Sequence, residues 1–130
     1  MTYEEVVKEY RKLFVMLVEK AGRETGNTSY LRVEKILEEK NSERLEKRLI
    51  EDEPSFVIIV CSYLILLFCD IYGLKGVEEW DLDTGAEKVS EFYRLYLKNA
   101  TIKFCEKYGL EPFDDPDTSF KLIRIGENDK

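Results

Sequence analysis

Tyr3, Val6, Val7, Tyr10, Leu13, Phe14, Leu17, Val18 and Ala21 recur at spacings of three and four, which places them on one face of a helix. Thr2-x-x-Glu5 in front of them has the letters of a capping box, and Gly22 reads as the stop. The stretch GRETGNTS that follows is rich in turn formers and predicts a loop. A second helix is expected from about Ser29. Tyr30, Val33, Leu37, Leu45 and Leu49 point inward, and Glu, Lys and Arg cover the other side. It either runs unbroken to Glu51 or breaks at Asn41-Ser42, where a new cap would form. Its mixed-charge face, ERLEKRLIEDE, is the pattern of a solvated surface laced with pairs one turn apart.

The pattern then changes. From Phe56 to Cys69, FVIIVCSYLILLFC, only Ser62 interrupts a run of apolar and amphipathic residues. Asp52-Glu53-Pro54 suits a helix start, and Gly73 suits its end, so a helix over about 55–72 is predicted. A membrane span needs about 20 such residues. Extending this run over 56–74 would take in Asp70 and Gly73, so the helix is expected to be buried among others, with no membrane association. A fourth helix is expected from Thr84 to Tyr108, about 37 Å long. Val89, Phe92, Tyr93, Tyr96, Ala100, Phe104 and Tyr108 mark its buried face, and Gly109 ends it. Beyond lie Pro112, Pro116 and a short apolar run, Phe120 to Ile125, that suits a strand or a last helical turn.

These elements predict an all-α fold: a four-helix bundle or similar helical array around a central apolar helix (about 55–72), with an irregular C-terminal segment. The 130 residues suit one domain. Residues 1–110 would form the helical bundle, and 111–130 a tail packing on or extending from it.

Composition narrows the functions. The net charge of −7 disfavours phosphate backbones, so no nucleic-acid partner is expected. The chain has no His and no Gln, with Glu and Lys abundant, a bias that resembles hyperthermophile proteins. Without His, the commonest general base and the Glu-x-x-His di-metal motif are both missing. Cys61, Cys69 and Cys105 are odd in number and show no C-x-x-C spacing, which suits reduced, buried thiols in a cytoplasmic protein better than a metal site. The charged N-terminus is not a signal peptide.

Three stretches invite chemistry. Asp83-Thr84-Gly85-Ala86 is similar to the tetrapeptide in which retroviral-type aspartic proteases carry their aspartate. That family is all-β, whereas AEKVSEFYRLYLKNATIKFCEKY has helical period and no Pro or Gly. Thr84-x-x-Glu87 reads instead as a second capping box, with Asp81 and Asp83 at the positive end of the helix dipole. A calcium loop starting at Asp81-x-Asp83 fails, because Gly85 and Phe92 occupy ligand positions. The acidic run Asp114-Asp115-Pro116-Asp117 reads as a surface turn.

Glu43-x-x-Glu46 is similar to the first half of the Mg²⁺-binding pattern of helical nucleotide pyrophosphohydrolases. The second half is expected on the third helix, where Asp70 is preceded by Leu67 rather than Glu. No catalytic, cofactor-binding or metal residues, and no cofactor, are assigned on this basis. The sequence points to a non-enzymatic helical assembly or interaction protein; the apolar helix needs cover, which the C-terminal tail or a second copy would supply, and the homodimer is the favoured route. A Mg²⁺-dependent phosphohydrolase using Glu43, Glu46 and Asp70 is the alternative, and membrane association through the third helix a distant third. Trp80, the single tryptophan, either anchors the connection before the fourth helix or marks a binding surface.

Overall fold

A computed structural model describes residues 1–39, 42–52 and 55–116, and over these the chain is an all-α helical array with no strand. Helix α1 spans Tyr3–Thr25, α2 Val33–Glu39, α3 Ser42–Asp52, α4 Phe56–Ile71, α5 Leu82–Phe92 and α6 Lys98–Tyr108. Short 3-10 turns at Thr28–Arg32 and Val77–Glu79 sit in the connections. The long helix expected from Thr84 is present as α5 and α6, joined by a π-helical turn at Tyr93–Leu97. The break considered at Asn41 touches residues 40–41, outside the described residues, although α2 and α3 are separate helices on either side. Phe120–Ile125 also lies outside them.

The helix ends follow local chemistry. Thr2 caps α1 by accepting a hydrogen bond from the Glu5 amide at 3.2 Å. The helix passes through Gly22 and ends at Gly26, whose φ of 74° is left-handed. Gly22 is therefore not the stop. It is buried because a Cβ there would lie 2.8 Å from the Cβ of Tyr30, so it lets the following 3-10 turn pack against α1. Its carbonyl still accepts the amides of Gly26 and Asn27 that close the helix. Gly73 (φ 67°) and Gly109 (φ 69°) end α4 and α6 as expected.

Helix α4 is the hub. Phe56, Ile59, Val60, Cys61, Tyr63, Leu64, Leu67, Phe68 and Cys69 are all buried. Each fully buried aliphatic or aromatic side chain contributes about 1.5–3 kcal/mol. Aromatic clusters hold both its ends. Phe56 meets Tyr10 edge-on at 4.7 Å and stacks on Phe104 at 5.7 Å. Phe68, three turns on, meets Phe92 at 5.5 Å, and Tyr30 closes on Phe92 at 5.1 Å. Among the described residues, no helix is long and apolar enough to cross a membrane.

The start of α5 differs from expectation. The helix begins at Leu82, with Asp81 in the cap position, so Thr84 lies inside the first turn. The Thr84 hydroxyl donates to the Asp81 carboxylate at 2.7 Å, and the Gly85 amide donates to the Asp81 carbonyl at 2.8 Å. Thr84 and Glu87 therefore do not form a capping box. Asp81 takes the cap position because the connection turns at Trp80, whose ring folds onto the first turn of α5 and is only 8% exposed. Trp80 thus anchors this connection.

Gly85 makes that packing fit: a Cβ there would lie 2.3 Å from Trp80 Cε3 and 3.2 Å from its Cβ. Alanine usually stabilises a helix interior over glycine by about 0.5–1 kcal/mol. Here the clash with a buried ring costs about 1–3 kcal/mol. Gly85→Ala is expected to lower the thermal midpoint, measured by circular dichroism, and an unchanged or raised midpoint would contradict the packing.

Candidate functional site

A concavity lies between α1, α2 and α3. It encloses about 680 Å³, within the range of small-molecule sites. Helix α1 brings Lys8 and Arg11 to it one turn apart, α2 brings Glu34 and Glu38, and α3 brings Glu43 and Glu46. Amphipathic spacing explains the arrangement: on each helix the apolar stripe faces α4, and these charged residues flank it where the helices meet.

At the floor sits Glu46, 6% exposed on a face that the sequence pattern assigned to solvent. The Tyr63 hydroxyl donates to Glu46 Oε1 in a short hydrogen bond. Arg11 Nε lies 3.4 Å from the same oxygen, and Arg11 Nη1 reaches Glu43 at 3.2 Å. One carboxylate thereby ties α3 to both α1 and α4. Burial pushes the Glu46 carboxyl above its usual range. The Tyr63 hydrogen bond and the Arg11 charge act against that, and Glu43 adds to it. Burial, then the contact with Glu46, raises the Tyr63 phenol, so Tyr63 remains a protonated donor. No sequence motif announces this network. The available signal is a glutamate between Leu45 and Leu49 that lies toward the buried side of α3.

The structure brings Glu43 and Glu46 together in this cleft. It does not bring Asp70 there: Asp70 lies near the other end of α4 and accepts a 2.8 Å ion pair from Arg32. The reason is geometric, since Asp70 is seven residues and about two turns beyond Tyr63, which contacts Glu46. Glu34 and Glu38 are the carboxylates that face Glu43 and Glu46 instead. Among the described residues, no group of three or more Asp, Glu, Cys or His side chains is placed to hold one metal ion. Arg11 and the neighbouring lysines supply positive charge where a cation would sit.

The other stretches carry no catalytic geometry. Asp83 is exposed on the first turn of α5 and, among the described residues, belongs to no group of three or more Asp, Glu, Cys or His side chains placed to hold a metal ion. Cys61, Cys69 and Cys105 are free and buried. Burial raises the thiols of Cys61 and Cys105, that of Cys105 to about 11, so both are held as poor nucleophiles. Asp115 forms a 2.6 Å ion pair with Arg94, which fastens the segment after α6 to the π-helical turn.

The sign of the Glu46 shift sets a test. Its folded pKa is raised, so the native state binds the proton more tightly than the unfolded chain does. Stability is then lost as pH rises from the ordinary carboxylate range through the raised value. Glu46→Gln removes that dependence. The midpoint of the variant relative to wild type is expected to rise between about pH 4 and about pH 7. A difference that stays flat or falls would contradict the buried carboxyl. Comparison of the chain with protein-family models, curated proteins and solved structures returns no match, so the geometry of the chain itself carries the functional reading.

Proposed function

We propose that the chain is a non-enzymatic helical assembly protein that pairs with a second copy of itself through α4. One observation carries this. Ile58, Ser62, Ile65 and Leu66 form a single stripe on α4 and remain partly exposed, while Val60, Leu64 and Leu67 on the opposite face are buried. These four side chains carry no charge, and Asp70, one turn further along the same ridge, is paired with Arg32 at 2.8 Å. The one hydroxyl of the stripe, on Ser62, donates to the Ile58 carbonyl at 2.8 Å, so the stripe brings no unsatisfied side-chain donor into a contact. A neutral apolar stripe suits a two-fold contact, in which each residue meets its counterpart region and like charges would oppose. Three buried free thiols fit a reducing, cytoplasmic location.

A second reading keeps the cleft as a Mg²⁺-dependent, nucleotide pyrophosphohydrolase-like site, since Glu34 and Glu38 face Glu43 and Glu46 across it. The Arg11 contacts count against that reading, because the best-buried carboxylate is already neutralised. Millimolar Mg²⁺ is expected to leave the thermal midpoint unchanged, with no hydrolysis of a nucleotide panel. A Mg²⁺-dependent upward shift together with turnover would favour the enzyme.

Sedimentation equilibrium tests the pairing. At micromolar concentration the mass is expected to be twice the 15.3 kDa of the chain. The paired change Ile58→Glu with Ile65→Glu should give a folded monomer, since both side chains are already partly exposed. A wild-type monomer over the same range would overturn the proposal.

A further inference from the structure

Helices α1 and α6 meet at Tyr10, whose hydroxyl shares a buried 2.9 Å hydrogen bond with Thr101 and whose ring packs edge-on against Phe104 at 5.2 Å. Beside that contact the two helices leave an open groove of about 500 Å³. Its apolar surface comes from Leu13 and Met16 on α1 and from Ala100, Phe104 and Tyr108 on α6. Met16 is 59% exposed, the largest apolar exposure in α1. The α6 contributors recur at intervals of four, so they form the kind of ridge against which another helix packs. The small side chain of Ala100 leaves part of the groove open to admit one.

The rim has a charge of its own. Lys12, Lys103 and Lys107 border the groove; Lys12 lies 3.5 Å from Glu9 on the same rim, so Lys103 and Lys107 carry the positive charge there, in a chain whose net charge is −7. Lys103 and Lys107 are one turn apart on α6 and flank its apolar ridge. At physiological salt, charges act over about 8 Å, so a docked segment meets the local lysines rather than the net charge of the chain. Against a second copy of the same face, lysine would oppose lysine, which separates this surface from the neutral stripe of α4.

We infer that the groove between α1 and α6 docks an amphipathic helix of a partner protein whose apolar face is flanked by acidic residues. The apolar face would cover Met16, Leu13 and Tyr108, and the acids would reach the lysine rim. Methionine suits such a site because its flexible, polarisable side chain adapts to the incoming surface. An anionic membrane would offer the same charge, but a groove between two helices matches a cylinder better than a plane.

The experiment uses the full chain and two fluorescent amphipathic peptides of about 18 residues, long enough to fold on a surface. Both carry leucine at helical spacing, with Glu at the remaining positions of one and Lys at those of the other. The Glu peptide is expected to bind and to weaken as salt is added, and the Lys peptide to bind at least about tenfold more weakly. The variant with Lys103→Glu and Lys107→Glu should reverse that preference, which loss of folding would not do. Met16→Asp, at an exposed position, should weaken the Glu peptide without lowering the thermal midpoint. Binding of neither peptide, equal binding of both, or an unchanged preference in the charge-reversed variant would overturn the inference. So would binding to phosphatidylserine vesicles in the absence of Glu-peptide binding.

Discussion

A helix that is apolar on every side has to be covered on every side, and the rest of this molecule is arranged around that requirement. Helix α4 supplies the apolar surface, and the covering helices come from a chain in which 36% of residues are charged. Each covering helix therefore presents a narrow apolar stripe inward and charge outward. Aromatic rings close both ends of α4: Tyr10, Phe56 and Phe104 at the start, and Tyr30, Phe68 and Phe92 near the finish. Such edge-on and stacked contacts add about 0.5–1.5 kcal/mol each beyond the area they bury.

Between the two clusters a polar contact reaches α4. Tyr63 meets Glu46 below the surface, and Arg11 supplies the neutralising charge. Burying a carboxylate is costly, so this contact is weak support for stability taken alone. It does fix relative position, because leaving any one of the three groups without the others strands a buried polar atom. The short helix α3 is thereby held to α1 and α4 by specific partners as well as by its apolar residues. The cleft above it follows from the same requirement: stripes facing α4 leave charged flanks facing each other.

Much of this was legible from the pattern of residues. Thr2 as a cap, α4 as a buried hub, Gly73 and Gly109 as stops and the all-α class follow from local chemistry, and the structure reproduces them. What was not legible depends on distant contacts. Gly22 reads as the stop of α1, and only the packing of Tyr30 against it and the left-handed Gly26 show that the helix runs on to Thr25. Thr84-x-x-Glu87 has the letters of a capping box, but the fold of Trp80 onto α5 moves the start of the helix to Leu82. Glu46 belongs by its neighbours to a solvated face, and its partners lie 17 and 35 positions away in sequence. Asp70 looked suited to join it, yet α4 carries that residue away toward Arg32.

The surfaces left over have different characters. The α4 stripe is neutral and suits a like partner. The groove beside α6 is lysine-rimmed and suits an acidic one. Both depend on α4 being the fixed centre from which the other helices are positioned. Native-state hydrogen exchange tests that most directly, because it ranks segments by the free energy needed to open them. Amides of residues 59–69 are expected to exchange last and only through global unfolding, with those of α3 exchanging earlier through local opening. Exchange of the α4 amides as early as those of α3 would contradict a structure organised around α4.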